Sequence, residues 1–177
     1  MKPLRPLMLA VAAAVTLVAS MAAAQTGAQT ANPVPAPGKA VFYGLHYIDT
    51  SIDGAINGVS EDETKRLKMT EELIAADLAS RGFTVMQPPA DKMAEIRNPV
   101  KSNGRDTKIA AGMGADYAIS GQVQKVSNLI LSIGLYVRDA HTAKTLRAGT
   151  VDIRGNNDES FRRGTRYLLK NIVFRTE

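Results

Sequence analysis

The chain has 177 residues, a formal charge of +5 and no cysteine; 45% of its residues are hydrophobic, with four phenylalanines and no tryptophan. The missing cysteine excludes disulfides, thiol catalysis and thiolate metal sites, and with them a bacterial lipid anchor, which is built on a cysteine just after the signal. So few aromatic rings also argue against a stacking surface for single-stranded nucleic acid.

The N-terminus reads as a secretory signal. Lys2 and Arg5 give it a positive start, Leu7 to Ala19 is apolar apart from Thr16, and Ala22-Ala23-Ala24 supplies the small residues of a cleavage site before Gln25. The apolar run is shorter than the ~20 residues that span a bilayer, and no stop-transfer pattern follows. The expectation is residues 1–24 as a cleaved signal peptide, residues 25–38 as a disordered linker, and residues 39–177 as one domain in the periplasm, outside the bilayer after cleavage. Lys2 and Arg5 leave with the signal, so the charge falls from +5 to +3. A mild positive charge in that compartment suits acidic proteins or anionic head groups before nucleic acid.

Gln25 to Gly38 is uncharged and poor in large apolar residues, as a linker is. Ala40 to Ile48 is a continuous apolar run and predicts a strand buried on both faces. Asp49 to Gly58 reads as a loop. Ser60-Glu61-Asp62-Glu63 is a capping box that opens a helix to about Arg81, with Leu67, Thr70, Glu71, Ile74 and Leu78 on one face; Gly82 ends it. Phe83 to Met86 is a short strand. Ala90 to Arg97 predicts a helical turn, and Arg105 to Met113 a short helix after the loop Asn98 to Gly104.

Asp116 to Val126 predicts a strand with Tyr117, Ile119 and Val123 on one face. Its alternation slips at Lys125-Val126, which marks a bulge or the strand end. Leu129, Leu131, Ile133, Leu135 and Val137 alternate with polar or small residues as the next strand, and Leu146 to Arg154 returns after the turn Asp139 to Lys144. Asn156-Asn157-Asp158 offers a cap for a last helix with Phe161, Thr165, Leu168, Leu169 and Ile172 on one face. The order β-α-β-α-β-β-β-α predicts an α/β (α+β) fold. It has a single mixed sheet of about five strands, parallel in its first half, antiparallel in its second, with helices packed on it.

The stretch Gly121-Gln-Val-Gln-Lys-Val-Ser-Asn-Leu-Ile-Leu, then Val137-Arg-Asp and Gly149-Thr-Val-Asp-Ile-Arg-Gly-Asn-Asn-Asp-Glu-Ser, resembles the bacterial domain of unknown function 2380, a family of short secreted proteins. The resemblance extends from about Val41 to Leu169. The loop Asn98 to Arg105, where members of that family often carry cysteines, has none here. The element order is also similar to the N-terminal domain of TolB and to the periplasmic core of the curli secretion protein CsgG. Those are domains that bind envelope proteins or assemble, so the resemblance implies an interaction role.

Several polar groups are candidates. Ser127 and Asn128 form a hairpin tip with ordinary turn chemistry. Asp152 to Glu159 is the densest polar stretch, where Arg154, Asn156 and Asn157 could meet a partner or simply cap and turn the chain. Arg162, Arg163, Arg166 and Lys170 give the last helix a basic surface. His46 reads as a core histidine and His141 as a turn residue, which makes no metal site. Asp49 and Asp53 share a loop without a basic or apolar context for acid–base work. Gly112-Met-Gly114 closes a helix instead of opening one, so it binds no phosphate. No cofactor or catalytic motif stands out, and the expected function is a non-catalytic binding or accessory module for an envelope protein. Its expected contact surface is Ser127, Asn128, Arg154, Asn156 and Asn157, with the basic helix second. A small-ligand carrier and an enzyme with a scattered site are the alternatives; the sequence leaves oligomeric state open.

Overall fold

The computed structural model describes residues 33–176. The signal sequence and the first part of the linker lie outside the described residues. The elements are β1 (Lys39–Asp49), α1 (Ile52–Asn57), α2 (Glu61–Ser80), β2 (Thr84–Met86), α3 (Ala90–Ala94), a 3₁₀ turn (Pro99–Lys101) and α4 (Arg105–Gly112). The meander follows as β3 (Tyr117–Lys125), β4 (Leu131–Asp139) and β5 (Thr145–Ile153), then α5 (Asp158–Tyr167), which continues into a π-helical turn, Leu168–Val173.

The five strands form one mixed sheet in the order β2-β1-β3-β4-β5. β1 runs parallel to β2 and β3, and β3, β4 and β5 pair antiparallel, as the connection lengths dictate. The larger core gathers Phe42, Ile119, Val123, Ile133 and Leu135 from the sheet with Ile74 and Leu78 of α2 and Phe161 and Leu168 from the C-terminal helix. A smaller core on the opposite face joins Val41, Tyr43 and Ala118 to Ala110 of α4 and Ile96 after α3. Before β1, Pro35 is buried and Val34 packs against the larger core.

α2 is fixed at both ends as expected. Ser60 Oγ accepts from Glu63 N, and Glu63 Oε2 accepts from Ser60 N at 2.8 Å. At the other end Gly82 is left-handed, with φ 87°. Gly82 N donates to Ala79 O and Phe83 N to Leu78 O, the paired bonds of a Schellman cap. Within β1 the register shifts between Phe42 and Leu45, where Gly44 has φ 72°. That bulge frees Leu45 N to donate to Glu71 Oε1 at 2.7 Å, so a carboxylate has a reason to sit on the inner face of α2.

Three parts depart from the sequence reading. Asp49 to Gly58 is not all loop: it contains α1, capped by Ser51 Oγ accepting from Gly54 N at 2.9 Å. This helix buries no side chain, so no apolar period announces it. Leu129 does not continue the apolar face of β4. Val126 N and Ser127 N both donate to Ile130 O, which closes the hairpin before Leu131 and leaves Leu129 exposed. The last helix buries Phe161, Thr165, Leu168 and Leu169 as expected, but its π-turn rotates the stripe so that Val173 and Phe174 face inward as well.

Candidate functional site

β1 and β3 run parallel and end side by side, with Asp49 opposite Lys125 in the register. Residue parity places Lys125 on the same face as Ile119 and Val123, so its side chain enters the larger core where α2 and α5 begin. It has no exposed surface. Its Nζ lies 2.7 Å from Glu63 Oε1, 3.1 Å from Asp53 Oδ2 and 3.2 Å from Asp49 Oδ2. Glu63 Oε1 also accepts from Asn156 Nδ2 at 2.7 Å, and Asn156 Nδ2 reaches Asn128 Oδ1 at 3.4 Å. Five segments of the chain thus converge on one buried charge: the end of β1, α1, the first turn of α2, the end of β3 and the β5–α5 junction.

Burial alone would weaken the charged forms, yet the pairing outweighs it. Burial opposes the charge on Lys125, but its pairing with Glu63, Asp53 and Asp49 raises its pKa above the ordinary lysine value. Glu63 loses some of its ionisation to burial as well. Hydrogen bonds from Lys125, Ser60 N and Asn156 more than restore it, and its carboxyl sits at about 2. Asp49 Oδ2 meets the ammonium as an ion pair without hydrogen-bond geometry, while Oδ1 accepts from Ser51 N and Oγ at 2.8 and 2.6 Å. Burial, then Glu63's negative charge, pushes the Tyr47 hydroxyl upward; it is buried there without a hydrogen-bond partner. Asp49 and Asp53 therefore have the basic context that their loop lacks in the sequence: it comes from Lys125, far along the chain.

The segments on either side of this cluster carry exposed apolar side chains. Among the described residues seven large apolar side chains are exposed, and six belong to the two segments that Lys125 ties together. Ile52, Ile56 and Val59 follow β1; Val126, Leu129 and Ile130 follow β3; the seventh is Tyr167. Thr50 N donates to Lys125 O at 2.9 Å and Lys125 Nζ holds Asp53 of α1, so both segments stand at the same end of the sheet.

The polar residues predicted as a contact surface divide into three groups. Asn128 and Asn156 do meet: Asn156 N donates to Asn128 O at 2.9 Å, and Gly155 N to Leu129 O at 3.3 Å. Ser127 shapes that tip, its Oγ accepting from Leu129 N and Ile130 N at 3.2 and 3.1 Å. Asn157 caps α5, its Oδ1 accepting from Ser160 N at 3.0 Å. Arg154 turns away and lines a cleft of about 340 Å³ between β5 and α5 with Arg163 and Tyr167. Arg163 and Arg166 are exposed and Arg162 half-buried. His46 is not a core histidine: it is half-buried and lines a surface cleft. At His141 the nearby Asp139 serves the turn, Oδ1 accepting from His141 N and Thr142 N at 2.9 and 2.7 Å.

The family profile described as "Protein of unknown function (DUF2380)" matches residues 38–173, which covers the sheet and the helices of the described residues. The chain belongs to this family. No curated protein matches the sequence. Among solved structures, the PelC dodecamer from Paraburkholderia phytofirmans is similar at 14% identity and a TM-score of 0.51, over 83% of this chain and 96% of that one. The LpoB C-terminal domain from Salmonella enterica is similar at 18% identity and a TM-score of 0.48, over 70% of this chain and 87% of that one. TolB from Acinetobacter baumannii, a fold expected to be similar, matches at 11% identity and a TM-score of 0.36, over 78% of this chain and 29% of that one. The likeness to PelC is one of fold. No helix among the described residues is long and apolar enough to cross a membrane.

Proposed function

We propose that this member of the DUF2380 family is a non-catalytic accessory module of the cell envelope, exported by its signal sequence. It docks one envelope protein through the end of the sheet formed by α1 and the β3–β4 hairpin tip. The observation that carries this reading is the gathering of six exposed apolar side chains at one end, over a buried ion cluster that fixes both segments. Exposed apolar side chains that gather in one place mark interaction surfaces, whereas singly scattered ones need no explanation. Asn128 and Asn156 give that surface a polar rim, as interfaces have. Lys125 has no exposed surface, so its amine meets no substrate while the fold is intact, which favours a structural role over a catalytic one. PelC, which shares the fold, is a twelve-copy assembly, so the architecture does support protein contacts. Arg154 and Arg163 offer a second surface, suited to an acidic segment.

The test is in-cell cross-linking of the tagged, exported protein, followed by mass spectrometry of what is attached. The wild type should carry one dominant envelope protein. Ile56→Asp with Leu129→Asp, both at exposed positions, should keep the melting temperature and lose that adduct. An unchanged adduct pattern in the folded double variant would move the contact elsewhere.

A further inference from the structure

On the opposite face of the sheet from the ion cluster, a cleft of about 520 Å³ is lined by His46 of β1, Arg97, the 3₁₀ residue Lys101 and Arg105 of α4. Two of its cations are unspent. Among the described residues neither Arg97 nor Lys101 forms an ion pair, and Arg105 Nη1 donates to the Glu95 carbonyl at 3.2 Å. The carboxylates nearby are already taken. Glu95, the one acidic residue of the lining, pairs with Lys92 at 2.8 Å, and buried Asp106 with Arg138 at 2.9 Å. Three positive side chains thus line a concave surface whose one carboxylate is paired with Lys92, although their mutual repulsion would favour splaying them apart.

We propose that this cleft binds a phosphate-class oxyanion, held by Arg97, Lys101 and Arg105 with His46 at its wall. Two guanidinium forks suit the paired oxygens of a phosphoryl group, and the lysine adds a point charge. The cleft falls within the ~300–1,000 Å³ of small-molecule sites, so it leaves room for a body attached to the phosphoryl group. That body is a soluble metabolite or a lipid head group. The site is separate from the proposed docking end and stands or falls independently of it.

His46 reports on occupancy. Burial, then the charges of Arg97 and Lys101, hold its imidazole below the ordinary value of 6.5. Arg105 adds positive charge from α4, Glu95 is the one acidic residue in the lining, and Gln122, opposite His46 in the register, is neutral. A bound oxyanion offsets the cations, so anion binding and His46 protonation must favour each other. The protein has only two histidines, and His141 in the exposed β4–β5 turn serves as the control.

The experiment follows both histidines by NMR through a pH titration of the exported chain, with and without pyrophosphate. We expect pyrophosphate to raise the His46 pKa by about half a unit or more, equivalent to roughly threefold tighter binding to the protonated form, and to move His141 less. In Arg97→Ala with Lys101→Ala, His46 should titrate higher without ligand and no longer respond to pyrophosphate. No response at His46, or equal responses at both histidines and in the variant, would overturn the site. Sedimentation with phosphatidylcholine vesicles, with and without phosphatidylglycerol, separates the two sources. Co-sedimentation that needs phosphatidylglycerol, Arg97 and Lys101 assigns a head group; protein left in the supernatant, with the pyrophosphate response intact, assigns a soluble phosphoester.

Discussion

A lysine without exposed surface keeps its charge only where carboxylates surround it, and Lys125 has three. Removing one partner of a buried ion pair leaves the other charges uncompensated, so Lys125→Met should destabilise the fold by about 3–5 kcal/mol in urea denaturation. Adding Glu63→Gln should recover part of that loss, because it removes one of the stranded charges. The pH dependence has a definite sign. The Glu63 carboxyl sits at about 2 in the fold, against an ordinary 4.5. Between those values the unfolded chain binds more protons than the folded one, so the contribution is complete above about 4.5 and drains away as pH falls towards 2. The stability gap between wild type and Glu63→Gln should therefore narrow over that window; a gap constant from pH 6 to pH 2.5 would contradict the pairing. The sequence holds both halves of this site in plain patterns. Glu63 extends the inward-facing stripe 67, 70, 74, 78 of α2 by one turn, and Lys125 keeps the parity of Ile119 and Val123. What reads as a slipped alternation is a charged residue facing inward, and each residue explains the other only once β1, α2 and β3 are assembled.

At the scale of elements, caps and strand alternation decide most of the outcome. Ser60 and Gly82 bound α2 through interactions within a few residues, which is why both ends are legible in the sequence. Gly82→Ala must force a side chain into φ 87° and should cost about 1–2 kcal/mol in urea denaturation. Gly112, the last residue of α4, has ordinary backbone angles and open space around a Cβ. Gly112→Ala should therefore raise stability by about 0.4–1 kcal/mol in the same measurement, chiefly by restricting the unfolded chain. α1 is the opposite case. It has six residues, none buried, and is held by Ser51 and by the Asp53–Lys125 pair, and a long-range ion pair leaves no periodic mark. The π-turn is equally silent: Ile172 packs where Gly149 has no side chain, and a Cβ there would collide with its Cγ2. That fit selects the register of the last turn without any signal within the helix itself.

For the whole molecule, the mixed sheet follows from the order of its elements, since crossover connections require parallel strands and hairpins antiparallel ones. The apolar end does not. Its two segments, residues 52–59 and 126–130, lie far apart in the chain and become neighbours only because β1 and β3 pair in parallel and end together. Read one at a time, Ile52 and Ile56 are loop residues and Leu129 continues a strand face. The polar residues Asn128 and Asn156 mark the correct end, but they form the edge of the surface rather than its substance. The most direct test places a photo-cross-linking amino acid at position 56, at position 129, and at position 142 in the β4–β5 turn at the other end of the sheet. A docking end predicts the same single envelope protein attached from positions 56 and 129 and none from 142. Adducts equal at all three positions, or absent from 56 and 129, would contradict it.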